Sequence, residues 1–298
     1  MDDQVELQHR STGLSRFHFY VLFAAVLTAA FGRPLLHLAQ IAYDNALVSH
    51  TVLVPAASAY LIWLRRGRFV EPPSGAQWPG AILLIAALAV LISPWPVNQG
   101  VAGSTPDNRL AIQVLAYCLM LCSAGFYFFG AKNMKVCLFP VCFLFFTVPL
   151  PPAVVEILEI GLQRSSAEAA FAMIKTTGTP VFREGLIFWL PGIGMEVARE
   201  CSGIHSSLVL FITALVAGDL FLKARWTRLL IAVIVVPLGI IRNGFRILVL
   251  SMLTVHVDPS YIDSPLHHEG GPIFFALSLI PFFLMLGALR RIETRRPA

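Results

Sequence analysis

Apolar and polar positions fall into long blocks along this chain. Apolar runs approaching the roughly 20 residues that carry a helix across a bilayer alternate with short polar stretches. The pattern predicts about eight membrane spans, near 17–36, 49–64, 78–95, 109–130, 136–150, 203–222, 229–254 and 272–289. The second and fifth are short, and Gly32-Arg33-Pro34 interrupts the first. Between the fifth and sixth runs the pattern changes. After Pro151-Pro152, apolar residues recur at helical spacing at Val154, Ile157, Leu158, Gly161 and Leu162, with Glu156, Glu159 and Gln163 between them. That interleaving predicts an amphipathic helix lying on the membrane surface. Further on, Pro191-Gly192 and Gly194 mark a turn between two short β-like runs, a small hairpin that leads into the helix near Cys201. The expected fold is an all-α polytopic membrane protein of about eight transmembrane helices, with an outward amphipathic helix and a small β-hairpin. It is read as one domain over residues 1–298, with the outward-facing insert at about 151–200.

Composition agrees with a membrane solvent. The chain is 57% hydrophobic and only 13% charged, and its mean hydropathy is +0.74. A soluble domain carries about 25% charged residues. The net charge of +5 comes largely from basic clusters at segment ends, so it does not point to nucleic acid. These clusters are Arg65-Arg66-Gly67-Arg68, Lys132 with Lys135, Lys223 with Arg225 and Arg228, and Arg290-Arg291 with Arg295-Arg296, while Arg10 and Arg16 precede the first span. With eight spans all of them fall on one side, which the positive-inside rule makes cytoplasmic. Both termini are then expected inside, and 37–48, 96–108, 151–201 and 255–271 outside. Cys118, Cys122, Cys137 and Cys142 lie within apolar runs and read as small packing residues. No Gly-rich phosphate loop and no Cys/His cluster with metal-ligand spacing occurs, so no metal or organic cofactor is expected.

Three polar features break the apolar pattern. The first is Cys201 in "RECSGIHSS" (199–207), at the outer mouth of the sixth span. A helix starting there would favour a thiolate through its N-terminal dipole, with Ser202 available as a cap and Gly203 for close approach. A buried structural cysteine explains the position equally well. The second is "IIRNGFRILVL" (240–250) inside the seventh span. An Arg near mid-bilayer costs at least about 2.5–3.5 kcal/mol, so such residues face the bundle interior or a wet cavity. Arg242 and Arg246, four apart, share a helical face; Asn243 between them either orients an Arg or packs. Snorkelling to headgroups is the competing account. The third is "SPLHHEGGPIFF" (264–275), where His267 and His268 precede the last span. His205, four residues after Cys201, competes with them for the role of base. Thiol, guanidinium and imidazole on one side of the membrane form a set for acyl transfer: the thiolate attacks a carbonyl, the imidazole moves protons and the guanidinium stabilises the oxyanion.

At these residues the chain resembles the exosortase/archaeosortase family of membrane cysteine transpeptidases. "VARECSGIHSS" (197–207), "RNGFRI" (242–247) and "HHEGGPIFF" (267–275) carry the likeness, supported by "FFTVPLPP" (145–152) and "TGTPVFREG" (177–185). It covers about 110–290, the expected family core. The resemblance implies a Cys–Arg–His site on the outer face of the membrane, with Cys201 as nucleophile and Arg246 as the catalytic Arg. The His falls within the 267–268 pair. His267 is favoured because His267, Gly271 and Phe275 fit the family's spacing, with His268 the alternative. Arg242, Asn243 and His205 are auxiliary candidates.

The implied substrates are exported proteins ending in a short motif (in bacteria often Pro-Glu-Pro), a transmembrane helix and a basic tail. Membrane lipids are the other expected partners, and a Gram-negative inner membrane is the implied location. Cleavage by hydrolysis and transfer to another nucleophile remain equally open. Two other readings stand beside this one: an outward-facing acyltransferase acting on a lipid or other non-protein substrate, and an anion transporter using Arg242 and Arg246.

Overall fold

The computed structural model describes residues 2–69, 77–93, 108–258, 260–261 and 270–295. The chain divides into two compact units, one up to Ala153 and one from Val154.

In the first unit, α1 (Asp2–Ala30) and α2 (Gly32–Asp44) are separate helices that meet at a 73° bend. Pro34 explains the restart: it lies in the first turn of α2, where backbone N–H groups have no intrahelical partner in any case. Asn45 ends α2, and its side chain accepts from the Leu47 amide at 3.0 Å, opening a 3₁₀ turn, Ala46–Val48. Then come α3 (His50–Arg65), α4 (Trp78–Ile92), α5 (Asn108–Val136) and α6 (Leu138–Leu144). α4 and α5 approach closely because Gly80 has no side chain: a Cβ there would sit 3.0 Å from the Ser123 carbonyl oxygen. The Ser123 hydroxyl in turn donates to the Gly80 carbonyl at 2.7 Å. Gly130, at φ +73°, kinks α5 where the apolar run was expected to end. Cys118, Cys122 and Cys137 are buried as packing residues, whereas Cys142 is exposed.

The second unit contains α7 (Pro152–Thr176), β1 (Phe182–Glu184), β2 (Ile187–Leu190), β3 (Ile193–Glu196), α8 (Ile204–Phe221), α9 (Arg225–His256) and α10 (Gly271–Arg295). The expected two-run hairpin is a three-stranded antiparallel meander. The additional strand, β1, is only three residues long, below the length at which alternation can be read from sequence. Pro191-Gly192 makes the β2–β3 turn, Gly192 taking φ +81°, a region nearly closed to side-chain-bearing residues. Phe188 and Leu190 of β2, with Met195 of β3, pack on Ala167, Ala170 and Ile174 of α7.

The helix expected near 151 is present as α7, but its packing face differs from the apolar stripe. Gln163, Ser166, Ala167, Ala170 and Ile174 are the buried set, while Val154, Ile157 and Leu158 are exposed. Apart from Ile174, small and polar residues pack on protein, and these large apolar ones are left outward. α9 repeats the pattern in part. Its buried face carries Thr227, Arg242, Asn243, Ser251 and Thr254 together with Ile231, Val235, Ile247 and Leu250, whereas Leu229, Val233, Ile241 and Phe245 are exposed. In a lipid solvent that arrangement keeps polar groups inside the protein and leaves the outer surface apolar.

Among the described residues, five helices are long and apolar enough to cross a membrane, or up to seven if each of two bent pairs counts as one span. The expected count of about eight is therefore not reached. α4, at 15 residues, extends only about 22 Å at 1.5 Å per residue, short of a ~30 Å hydrocarbon core. α6, at seven residues, is far shorter still.

α8, α9 and α10 are clasped at the end opposite the strands. Glu293 on α10 accepts from the backbone amides of Lys223 and Ala224, each at 2.8 Å, and from the Thr227 hydroxyl. It thereby caps the start of α9 from another helix. Arg228 donates to the Leu222 carbonyl and pairs with Asp219 at 3.1 Å across the same turn. Loss of a helix cap costs about 1 kcal/mol. Glu293→Ala is therefore expected to lower the midpoint of thermal unfolding in detergent. An unchanged midpoint would show that the clasp contributes nothing.

Candidate active site

The site is built on the connection from β3 to α8. Val197 leaves the sheet, its amide donating to the Leu186 carbonyl at 3.0 Å. A 3₁₀ turn, Arg199–Ser202, follows, and α8 begins at Ile204 with Gly203 at its N-cap. Cys201 therefore stands within the 3₁₀ turn and not on the helix, where the sequence had suggested it. Its amide donates to the Ala198 carbonyl at 3.0 Å. Ser202 does not occupy the N-cap; its hydroxyl oxygen accepts from the Ile204 amide at a long 3.5 Å. Because Cys201 precedes the helix, the four-residue spacing to His205 does not place the two on one helical face. The helix dipole also acts on Cys201 from a distance rather than from its own terminus.

Gly203 makes this turn possible. It has φ +71°, and a Cβ at this position would lie 2.8 Å from both Cγ and Oδ1 of Asn243 and 3.2 Å from Nη2 of Arg242. The turn is thus pressed against the middle of α9, a continuous helix on which Arg242, Asn243 and Arg246 are all carried. Gly239 lets α8 and α9 close together, since a Cβ there would be 2.9 Å from the Ser207 hydroxyl oxygen. Gly244 does the same toward α7, where a Cβ would be 2.8 Å from that of Ala169.

The polar residues of α9 divide into distinct tasks. Asn243, 2% exposed, donates from Nδ2 to the Cys201 carbonyl at 2.7 Å. Arg242 is buried and donates from Nη2 to the Gly203 carbonyl at 3.4 Å and to the Ser207 hydroxyl at 3.3 Å. Its Nη1 is buried with no hydrogen-bond partner among the described residues. Arg242 thus braces the start of α8. Arg246, one turn further along, is half-buried. Its neighbour Ile247 packs in the same cluster as Cys201, with Val197, Phe188 and Leu190. His205 is half-buried in the first turn of α8, and its Nδ1 is buried without a partner among the described residues.

The structure therefore gathers Cys201, Gly203, His205, Arg242, Asn243 and Arg246 around one crossing of α8 and α9. His267 and His268 lie outside the described residues. Two contributors escaped sequence reasoning. Gln163 of α7 is buried and donates from Nε2 to the Val197 carbonyl at 2.6 Å. Ser207 receives Arg242. Gln163 had been counted with the polar, outward face of an amphipathic helix. A Gln three to four residues before the small-residue run Ser166-Ala167 was the available signal of a packed face.

These features define a multi-pass membrane protein with a cysteine turn held against intramembrane arginines. Residues 42–284 match the transmembrane exosortase family (Exosortase_EpsH), and the chain belongs to that family. No curated protein and no solved structure matches the chain. Membership implies processing of sorting signals by transpeptidation.

Gly203→Ala tests the turn. The left-handed conformation alone costs a side-chain-bearing residue about 1–2 kcal/mol, and the added Cβ collides with Asn243. The variant is expected to lose thermal stability and to label faster at Cys201 with a small thiol reagent. Wild-type behaviour on both counts would show that the turn is not constrained as drawn.

Proposed function

We propose that this chain is a membrane-embedded cysteine protease/transpeptidase that cleaves the C-terminal sorting signal of exported proteins at the outer face of the cytoplasmic membrane. The observation that carries this reading is the packing of the Cys201 turn onto the Arg242–Arg246 stretch of α9, in a member of the exosortase family. The Cys201 thiolate attacks the scissile carbonyl, and the developing oxyanion is stabilised by the Arg246 guanidinium. His267 acts as acid and base, with His268 as the alternative from the adjacent position. It takes the thiol proton and gives it to the departing amine, leaving an acyl thioester on Cys201. Water or a second amine then takes the acyl group. Arg246 is the position that the family motif assigns to the oxyanion partner, and the packing of its neighbour Ile247 in the cluster that contains Cys201 supports that role.

The charge pattern supports the orientation. Lys223, Arg225 and Arg228 lie where α8 ends and α9 begins, and Arg290, Arg291 and Arg295 lie at the end of α10; the positive-inside rule favours the cytoplasm for that end, which leaves the Cys201 end of α8 facing outward. A substrate with a single transmembrane helix and a basic tail would sit in the same sense, its motif at the level of Cys201. Strands β2 and β3 and α7, which pack in one cluster with Cys201, would supply walls for that motif.

The test is processing in the membrane of a co-expressed, tagged protein bearing a C-terminal motif, transmembrane helix and basic tail. Wild type is expected to convert it to a shorter product. Cys201→Ala and Arg246→Ala are each expected to abolish conversion, by 10³-fold or about that for an oxyanion donor. His267→Ala is expected to abolish it and His268→Ala to leave most of it. Conversion that survives Cys201→Ala would overturn the assignment of the nucleophile.

A further inference from the structure

The segment that carries Cys201 is held at both ends in the same way. At Val197 the amide donates to the backbone of Leu186, and the carbonyl accepts from the Gln163 side chain at 2.6 Å. At Cys201 the amide donates to the backbone of Ala198, and the carbonyl accepts from the Asn243 side chain at 2.7 Å. The two amides come from different helices, α7 and α9. Gln163 is 5% exposed and Asn243 2%, so water cannot replace either donor. A segment between a strand and a helix has no ladder to satisfy its carbonyls, and a buried carbonyl without a donor is costly. Apolar residues of similar size at 163 and 243 would fill the space but leave both carbonyls unpaired. Gly203 allows Asn243 to reach the turn at all.

We propose that Gln163 and Asn243 are positioning residues that form an amide clamp on the Cys201 segment, fixing the depth and direction of the thiol at its two ends. The proposal rests on the reading of Cys201 as the nucleophile. The clamp holds a Cys201 that is only 7% exposed, which suits a group meant to meet a docked peptide rather than bulk water. Neither amide touches the reacting atoms. Each acts through a backbone carbonyl, so the clamp governs how often the thiol occupies its working position.

Asn243→Asp and Gln163→Glu keep side-chain shape and replace the amide donor by a carboxylate that can only accept. The readout is alkylation of Cys201 by iodoacetamide in membranes holding the full chain, quantified on the Cys201 peptide by mass spectrometry. Rates are expressed relative to wild type at each pH, which removes the titration that the variants share with wild type. Each variant is expected to label at least about fivefold faster at neutral pH, as local opening exposes the thiol. As pH falls, the carboxyl at 163 or 243 protonates and regains an O–H donor, so the ratio is expected to return toward one. Because burying a carboxylate is costly in any packed site, the apolar variants Asn243→Leu and Gln163→Met separate the clamp from a space-filling role: the clamp predicts that they too label at least about fivefold faster at neutral pH, and a space-filling role predicts the wild-type rate. A ratio within about twofold of one for these apolar variants, or an acidic-variant ratio that is raised but does not fall with pH, overturns the clamp. If the acidic variants fail to accumulate, Gln163→Asn shortens the amide by one methylene. It too is expected to raise the labelling rate, and an unchanged rate overturns the clamp. Labelling needs no substrate, so a failure of the processing reaction in wild type would count against the proposed function and leave this test standing.

Discussion

The hydrogen bond from Asn243 to the Cys201 carbonyl sets the constraint around which the second unit is arranged. A backbone carbonyl leaving a sheet and entering a membrane helix cannot turn to water, and leaving it unpaired in a low-dielectric interior costs several kcal/mol. An amide donor must therefore come from a neighbouring helix. It reaches the carbonyl only because Gly203 has no side chain and adopts φ +71°. Close approach of that kind demands small residues along the whole seam, and Gly239, Gly244 and Ala169 supply them. The polar middle of α9 thus follows from the decision to place a cysteine turn against it.

The same constraint accounts for the polar content of the buried faces of α7 and α9. Both bury small and polar residues, α9 together with Ile231, Val235, Ile247 and Leu250, and both leave large aliphatic side chains exposed. A helix in water exposes its polar residues instead. The energetic cost of an intramembrane Arg is offset where its donors find oxygen, as Nη2 of Arg242 does at Gly203 and Ser207. Two arginines that look alike in sequence are thus placed differently: Arg242 is buried and braces the turn, and Arg246 is half-buried one turn further along.

Much of this was legible in the chain before any fold was known. Continuous apolar runs announce a polytopic membrane protein, and the interruptions at Cys201 and at Arg242–Arg246 announce where its polar interior lies. Gly32-Arg33-Pro34 marked a break that the α1–α2 bend realises. What was not legible depended on contacts between distant segments. Hydropathy cannot tell a 15-residue apolar helix that stops short from one that spans, so the count of about eight spans is not confirmed among the described residues. Three-residue β1 forms because β2 is there to pair with it, not from its own pattern. Gln163 reads as a surface residue until the Val197 carbonyl is brought to it. Cys201 was read as lying near the start of the helix, although α8 begins at Ile204, because a 3₁₀ turn and a left-handed glycine carry no apolar period. The family match over 42–284 reaches further toward the N-terminus than the motifs near 110–290 had suggested, since the earlier helices carry no residues with distinctive chemistry.

The most direct test of the account is to look for the covalent intermediate itself. Membranes holding the full chain and a processed substrate would be quenched in acid, and the Cys201 peptide examined by mass spectrometry. The account predicts a mass increment equal to the substrate's acyl fragment, removed by neutral hydroxylamine as a thioester should be. Substrate turnover with no adduct at Cys201 under any quench time, or an adduct located on another residue, would contradict it.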